Sequence, residues 1–296
     1  MYDRFNGFID YLSNIKKASV NTLEAYKRDI GRFTDYCSEF GVTDCSLVDE
    51  SLIRKYVDNM YAMGKSESTV LRSLASVRGY FKYLISVGIC GTNPADGIKI
   101  SKSSHNLPGI LDSNEIVLLL SQPSGNDFKS VRDRAMLETL YATGIRVSEL
   151  ISLTVGDVNT QLGILHTAGV DEKERIIPLY PAAIKHLNEY IHNVRPILVQ
   201  GTDSKILFTN MNGKPMSRQG FWKIIKHYAE MAGINKDITP HTLRHSLAAH
   251  LLENGAQLKD VKEMLGHSDI SSTQIYAQII KNKYITSYAK FHPLAK

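Results

Sequence analysis

Apolar residues recur every three or four positions through the first hundred residues, and this spacing constrains the fold more than any other feature of the sequence. Such a period places apolar side chains on one face of an α-helix. A glycine, which favours helix ends, follows each series. We therefore predict amphipathic helices whose apolar faces are Leu23, Tyr26, Ile30, Phe33 and Cys37 before Gly41; Ile53, Tyr56, Val57 and Met60 before Gly64; and Val70, Leu74, Val77, Phe81 and Leu84 before Gly88.

A change of composition separates these helices from the rest of the chain. Residues 99–109 are polar and lack apolar periodicity, which is typical of a linker. A new helix is expected after Asp112, because Asp112 and Glu115 have the spacing of a capping box. We therefore predict an all-α domain over residues 1–98 and a second domain over residues 110–296.

The second domain combines helices with a small sheet. Helical spacing runs over residues 134–153 and resumes at Ser217. The fold class is therefore predicted as mainly α with a small antiparallel β-sheet, an all-α domain preceding an α+β domain. The strands are predicted at residues 163–167 and 175–179 around a polar turn at 169–173, with a third strand or a loop at 206–208.

Composition excludes several classes of protein. The longest aliphatic run, Ile116–Leu120, is far short of the roughly 18 to 20 apolar residues of a membrane-spanning helix. The amino terminus lacks the apolar block of a signal peptide, so we expect a cytoplasmic protein with no membrane partner. The cysteines, Cys37, Cys45 and Cys90, match neither a zinc site nor a disulfide framework. The net charge of +5 permits a polyanionic partner without demanding one.

Polar residues with a shared chemistry interrupt the apolar pattern of the second domain. His241 and Arg244 are three positions apart, so a helix would project both toward one point. A guanidinium fork, as in Arg146 and Arg244, suits two phosphate oxygens at once. The hydroxyl of Tyr276, with an ordinary pKa near 10, needs nearby cations and a proton acceptor such as histidine to attack a phosphodiester.

Each of these residues also has a simpler interpretation. Only their joint occurrence within one stretch of 131 residues favours a single site. The simpler interpretations are a surface ion pair between Arg146 and Glu149, a solvated helix face for His241 and Arg244, a helix end before His267, and a core position for Tyr276.

Three segments of the second domain closely resemble the tyrosine recombinases, and within them the Xer-type recombinases. They are Ala142–Leu150 (ATGIRVSEL), His241–His245 (HTLRH) and Leu265–Tyr276 (LGHSDISSTQIY). Ser19–Asp29 (SVNTLEAYKRD) resembles the opening of that family's core-binding domain, so the resemblance spans nearly the whole chain. It implies an enzyme that cleaves and rejoins duplex DNA at specific sites through a 3′-phosphotyrosyl intermediate, with no metal and no nucleotide cofactor.

The resemblance also assigns a role to each matching residue. Tyr276 is the nucleophile, and Arg146 and Arg244 clamp the non-bridging phosphate oxygens. His241 handles the proton, and His267 hydrogen-bonds the same phosphate. These five residues are the predicted catalytic group.

The chain departs from the family in the turn between two strands. Relatives carry a lysine there that protonates the leaving 5′-oxygen, whereas ungapped alignment places Val170 at that position. Three alternatives stay open: Lys173 enters the site and contacts DNA instead, the chain cleaves slowly, or Val170 is an introduced substitution. Loss of a general acid costs about 10²- to 10⁴-fold in rate.

The implied partner is double-stranded DNA with a specific recombination site, clamped between the two domains. Candidate sequence readers in the helical domain are Ser66, Ser68, Arg72 and Arg78, which are equally well explained as a solvated face. The resemblance implies a tetramer on two duplexes, of identical protomers or with a sister recombinase. In such a tetramer the segment 284–296 would dock on a neighbouring protomer; the alternative is that it packs onto its own domain. Resolution of chromosome or plasmid dimers is the favoured role. The alternatives are a mobile-element integrase of the same chemistry and a DNA-binding protein impaired in cleavage by Val170.

Overall fold

A computed structural model of the chain describes residues 2–100, 109–168 and 174–266, together with Thr273 and Tyr276. The chain divides into two compact units, residues 1–105 and residues 106–296. The linker predicted at 99–109 falls mostly outside the described residues, so the domain boundaries at 98 and 110 stay predictions.

Helices α1 to α4 form the first unit. Ser19 starts α2 by accepting a hydrogen bond from the Thr22 amide, and Asp49 starts α3 in the same way. The predicted apolar faces form the buried core, and Gly41, Gly64 and Gly88 follow the helices with φ between +70° and +73°. All three predicted helices are therefore confirmed. The bounds are α1 Tyr2–Asp10, α2 Val20–Glu39, α3 Glu50–Ala62 and α4 Glu67–Ser86.

The second unit contains helices α5 to α12. The predicted capping box is present, because Asp112 Oδ1 accepts from the Glu115 amide and Glu115 Oε2 accepts from the Asp112 amide. Gly144 adopts a left-handed conformation and divides the predicted helix at 134–153 into α6 and α7. The bounds are α5 Ser113–Ser121, α6 Phe128–Thr143, α7 Val147–Ser152, α8 Pro181–Glu189, α9 Arg195–Leu198, α10 Arg218–Met231, α11 Pro240–Glu253 and α12 Leu258–Leu265.

A small antiparallel sheet lies between α7 and α8. Its order is β1-β2-β3, with β1 Val158–Asn159, β2 Ile164–Ala168 and β3 Glu174–Pro178. Leu165 pairs with Ile177, and both are buried, whereas Ile176 on the opposite face is 63% exposed. The two main predicted strands are confirmed. The segment 206–208 is a loop that makes a single bridge, between Thr154 and Ile206.

Helix α6 is buried around most of its circumference, so its charged side chains need partners within the protein. Arg132 pairs with Asp133 at 2.7 Å, and Arg134 pairs with Glu138 at 2.9 Å. The Tyr228 hydroxyl donates to Asp133. These bonds make α6 the fixed centre of the second unit, and its carboxyl end reaches the candidate site.

Among the described helices, none combines the length and the apolar character that are needed to cross a membrane.

Candidate active site

The candidate site forms where the ends of α6 and α12 meet the starts of α7 and α11. Gly144 ends α6 in the left-handed region, and Arg146 is the N-cap residue of α7. Gly266, with φ +65°, ends α12 in the same way. The last carbonyls of a helix lack partners within the helix and carry partial negative charge, so this junction attracts cationic side chains.

Glu149 joins two arginines on one side of this junction. Its Oε1 lies 3.2 Å from Arg146 Nη1 and 2.6 Å from Arg175 Nη2, and its Oε2 accepts from the Arg146 amide at 2.6 Å. Arg146 Nη2 also donates to the Gly266 carbonyl at 3.1 Å, and Arg175 Nη1 donates to the Met264 carbonyl at 3.0 Å. The carboxylate and the carbonyls therefore fix the orientation of both guanidinium groups.

Arg244 is the most deeply buried of these arginines, with 4% of its surface exposed. Its Nη1 donates to the Gly144 carbonyl and its Nη2 to the Leu265 carbonyl, at 2.6 Å for the latter. Burial and the nearby Arg146 lower the pKa of Arg244 to about 10. The guanidinium therefore stays charged at neutral pH and faces the same helix ends as Arg146.

Helix α11 presents three side chains of the candidate site within five residues. His241, Arg244 and His245 lie at positions i, i+3 and i+4, which share one face of a helix. The His241 and His245 rings are 6.3 Å apart between centroids. Partial burial and the charges of Arg244 and Arg146 lower the pKa of His241, so its imidazole is neutral at pH 7 and can accept a proton.

Tyr276 lies at the edge of this group. Its side chain is 1% exposed and packs in an apolar cluster with Ala248, Val261 and Leu265. The hydroxyl lies 2.7 Å from His245 Nδ1. Burial raises the pKa of Tyr276, and the positive charge of Arg244 acts in the opposite direction. The phenol is thus protonated at neutral pH and within the electrostatic influence of Arg244.

Four of the predicted site residues are therefore neighbours, namely Arg146, His241, Arg244 and Tyr276. The solvated-face interpretation is wrong for Arg244, which is buried, whereas the ion pair between Arg146 and Glu149 does form. Predictions for Val170, Lys173, His267 and the segment 284–296 lie outside the described residues.

The candidate sequence readers of the first unit differ in their environment. Arg78 donates to the Ala95 and Ile98 carbonyls and so stabilises the turn after α4. Arg72 has a side chain that is 46% exposed, and its Nη2 lies 3.0 Å from the fully buried Asp29. Ser66 hydrogen-bonds Ser68 and Thr69 at the start of α4.

Sequence reasoning gave no role to Arg175 or His245. For Arg175, the only signal in the sequence is a charged residue within a predicted strand. No spacing rule connects it to Glu149, the partly buried carboxylate that it contacts. For His245, the signal was its position four residues after His241, on the face that carries Arg244. His245 lies in the motif that contains His241 and Arg244, and Arg175 begins the strand predicted after the polar turn.

Comparison with known proteins identifies the family. The phage integrase family matches residues 110–283, and the N-terminal SAM-like domain of phage integrases matches residues 5–88. Tyrosine recombinase XerD of Staphylococcus epidermidis is 42% identical over 288 residues, which cover 97% of this chain and 98% of that protein. Tyrosine recombinase XerD of Staphylococcus aureus is 41% identical over the same shares of the two chains.

Solved structures agree in fold. XerH site-specific recombinase, in a post-cleavage complex with palindromic difH substrate, has a TM-score of 0.78 at 21% identity, covering 93% of this chain and 81% of that chain. A lambda integrase dimer bound to a COC′ core site has a TM-score of 0.73 at 17% identity, covering 93% and 94%. With two family domains matched and XerD proteins similar over nearly its full length, this chain belongs to the phage integrase family and is a Xer-type site-specific tyrosine recombinase, an enzyme that cleaves and rejoins DNA.

Proposed function

We propose that Tyr276 is the nucleophile with which this recombinase cleaves one strand of a recombination site in double-stranded DNA. The phenolic oxygen would bond to the scissile phosphorus, and the bond from phosphorus to the 5′-oxygen would break. The products are a 3′-phosphotyrosyl link and a free 5′-hydroxyl. The observation that carries the proposal is the position of Tyr276 next to Leu265, whose carbonyl binds Arg244, so that the positive charge of Arg244 acts on the phenol. Attack on a phosphodiester needs a phenol beside such a fixed cation.

Arg146 and Arg244 would bind the non-bridging oxygens of the phosphate. A guanidinium has five N–H donors, and the described backbone carbonyls orient each group through one or two of them. Arg175 and Glu149 would act through Arg146 by holding it in place. Preorganised donors of this kind stabilise the charge that develops in the transition state, and loss of one commonly costs about 10²- to 10³-fold in rate.

His241 would receive the phenolic proton as the tyrosine attacks. Its lowered pKa keeps the imidazole neutral and able to accept a proton at physiological pH. The leaving 5′-oxygen needs a proton in turn, and the source for this proton is Lys173 if it replaces the lysine missing at Val170. His267 would add a hydrogen bond to the phosphate.

The finer biological assignments are part of the same proposal. The recombinase would act in the cytoplasm as a tetramer on two duplexes, with identical protomers or with a sister recombinase. Resolution of chromosome or plasmid dimers is the favoured role, since the similar XerD proteins match along almost the whole chain. In that role the enzyme supports chromosome partition at cell division, and a mobile-element integrase is the alternative.

Covalent trapping tests the nucleophile. Footprinting on genomic fragments first identifies a bound site, which is then prepared as a duplex with a nick next to the cleavage position so that religation is prevented. We expect a denaturant-resistant adduct of protein and DNA with the wild-type chain and none with Tyr276→Phe, although Tyr276→Phe still binds. An adduct that persists in Tyr276→Phe would refute the proposal.

Tyr141→Phe is the matched control for this experiment. In the wild type, the Tyr141 hydroxyl also contacts a histidine of α11, because it lies 2.9 Å from His250 Nδ1. Burial also raises the pKa of Tyr141. The control variant should form the adduct at the wild-type rate. Loss of the adduct in both variants would indicate a general defect rather than loss of the nucleophile.

A cleavage-impaired recombinase is the second candidate, and Val170 is the observation that favours it. Val170→Lys and Lys173→Ala separate the alternatives in the same trapping assay. If Lys173 supplies the proton, Lys173→Ala should slow adduct formation by about 10²- to 10⁴-fold. If Lys173 does not act in the wild-type chain, Val170→Lys should accelerate adduct formation instead.

A further inference from the structure

The contact between His245 and Tyr276 has no part in the roles assigned above. His245 Nδ1 lies 2.7 Å from the Tyr276 hydroxyl, and the two rings are 5.4 Å apart with an interplanar angle of 49°. His245 follows Arg244 directly on α11, so the element that carries a phosphate-binding arginine also holds the phenol. The contact thus connects two parts of the candidate site.

The charge state of His245 determines what this contact can do. His245 is partly buried, and His241 and Arg244 lie beside it, so its pKa falls to about 4. The imidazole is therefore neutral at physiological pH. Tyr276 is protonated there, because burial raises its pKa above the ordinary value of 10.0. In the His245 tautomer with the proton on Nε2, Nδ1 accepts a hydrogen bond from the phenolic O–H of Tyr276.

His245 is too weak a base to remove the phenolic proton. The ordinary pKa of tyrosine is 10.0, and the pKa of His245 is about 4. The equilibrium for proton transfer from the phenol to His245 is therefore unfavourable by about a millionfold. A hydrogen bond without proton transfer is the chemistry that remains. Such a bond fixes the direction of the hydroxyl, which a reaction in line with a phosphate needs.

We infer that His245 is a positioning residue. Its Nδ1 accepts a hydrogen bond from the Tyr276 hydroxyl and thereby directs the phenolic oxygen toward the phosphate-binding arginines. The inference rests on the proposed role of Tyr276 as the nucleophile. His245 then acts on the rate of strand cleavage through Tyr276 and makes no contact with DNA. The hydrogen bond to His245 holds the phenol before attack; the O–H then turns from His245 to His241, which receives the proton as the phenolic oxygen bonds to phosphorus.

Two substitutions of similar size separate the hydrogen bond from packing. The amide of asparagine places an acceptor oxygen close to the position of Nδ1, whereas leucine fills a comparable volume without an acceptor. We expect His245→Leu to slow single-turnover adduct formation on the nicked duplex by about 10- to 100-fold. His245→Asn should recover most of that loss, and DNA affinity should stay within about twofold of the wild type in both variants.

His250→Leu provides the matched control. His250 also lies on α11, and its Nδ1 meets the Tyr141 hydroxyl at 2.9 Å, so the substitution removes an equivalent contact outside the site. Thermal unfolding of all three variants measures the structural cost. A positioning role predicts that His245→Leu and His250→Leu lower the melting temperature similarly, while only His245→Leu slows adduct formation.

The outcomes separate this inference from the proposed function. An adduct that forms through Tyr276 at an unchanged rate in His245→Leu would overturn the inference and leave the nucleophile intact. An increased rate would also overturn it, because His245 would then hold the hydroxyl away from the phosphate. Failure of His245→Asn to recover more activity than His245→Leu would assign the effect to packing. An adduct retained by Tyr276→Phe would instead refute the proposed function.

Discussion

At the scale of single residues, the arginines of the site gain their orientation from backbone carbonyls rather than from one another. Arg244 donates to Gly144 and Leu265, and Arg146 donates to Gly266. Burial of a cation is costly unless hydrogen bonds compensate it, and helix ends supply carbonyls that have no partner within the helix. Lysine could not replace these arginines, because its ammonium group lacks the planar fork that meets two carbonyls and a phosphate together.

The partly buried histidine His245 should make the stability of the protein depend on pH. Burial, His241 and Arg244 hold its pKa at about 4, whereas the unfolded chain has the ordinary value of about 6.5. Between these values the unfolded state binds a proton that the folded state does not. The free energy of unfolding should therefore fall as the pH drops from 6.5 to 4, by about 3 kcal/mol from this residue, and should gain nothing from it above pH 6.5.

Carboxylates titrate in the same range, so the contribution of His245 is measured as a difference. Urea unfolding at pH 7, 6, 5 and 4 gives the pH dependence for the wild type and for His245→Asn, which has no titrating group at this position. We expect the wild type to lose more stability than the variant over this range, with the phenol of Tyr276 protonated throughout. Parallel curves would show that the His245 pKa is close to its unfolded value.

At the scale of elements, the end of α12 positions the arginines. Gly266 has φ +65°, and a β-carbon there would lie 2.6 Å from Arg175 Cζ and 2.9 Å from its Nε. Arg175 cannot move without losing its bonds to Glu149 and to the Met264 carbonyl. We expect Gly266→Ala to displace Arg175 and, through Glu149, to disturb Arg146, which would slow adduct formation by about tenfold or more.

Gly233→Ala is the control for Gly266→Ala. Gly233 has the same φ of +65°, and a β-carbon there meets nothing within 4 Å. Both variants should lose about 1 kcal/mol of stability from the left-handed backbone, since alanine disfavours that conformation. Only Gly266→Ala should slow adduct formation. Equal activity of the two variants would show that Arg175 does not depend on this close approach.

Local sequence patterns predicted most elements because each depends on contacts within a few residues. The apolar faces of α2, α3 and α4, the capping box at Asp112 and the two main strands all follow from spacing. The break between α6 and α7 was not predicted, because Gly144 lies within a continuous helical pattern. Helix α8 was not predicted either, although Pro181 marks its start.

The site was predictable only as far as its residues carry a recognisable motif. Arg146, His241, Arg244 and Tyr276 stand in such motifs, and the structure brings them together. The contact from Arg175 to Met264 joins residues 89 positions apart, and the contact from His245 to Tyr276 joins residues 31 positions apart. Contacts at such separations depend on the packing of β3, α11 and α12, which no local spacing determines.

At the scale of the whole molecule, the described cores of the two units have no residue in common. One core extends from Phe8 to Ile98 and the other from Leu111 to Leu243. Units with separate cores are expected to fold independently. Their net charges are similar, because residues 1–105 contain 14 basic and 12 acidic residues, and residues 106–296 contain 21 and 18.

Separate fragments test how the two units share DNA binding. We expect fragments 1–105 and 106–296 each to unfold cooperatively and each to bind the recombination site more weakly than the intact chain. Linking two modules that contact one duplex raises affinity by about 10²- to 10⁴-fold, because the second contact becomes intramolecular. Fragment 106–296 should still form the Tyr276 adduct at high concentration, since every residue of the proposed catalytic group lies within it.

Measuring the salt dependence of DNA binding shows whether both units contact the DNA backbone. The slope of log affinity against log salt concentration measures the number of phosphates contacted. If both units contact phosphates, the slopes of the two fragments should add up to the slope of the intact chain. A slope for fragment 106–296 that equals that of the intact chain would mean that the first unit contributes no phosphate contact. In that case the proposed clamp would be wrong, while cleavage by Tyr276 would be unaffected.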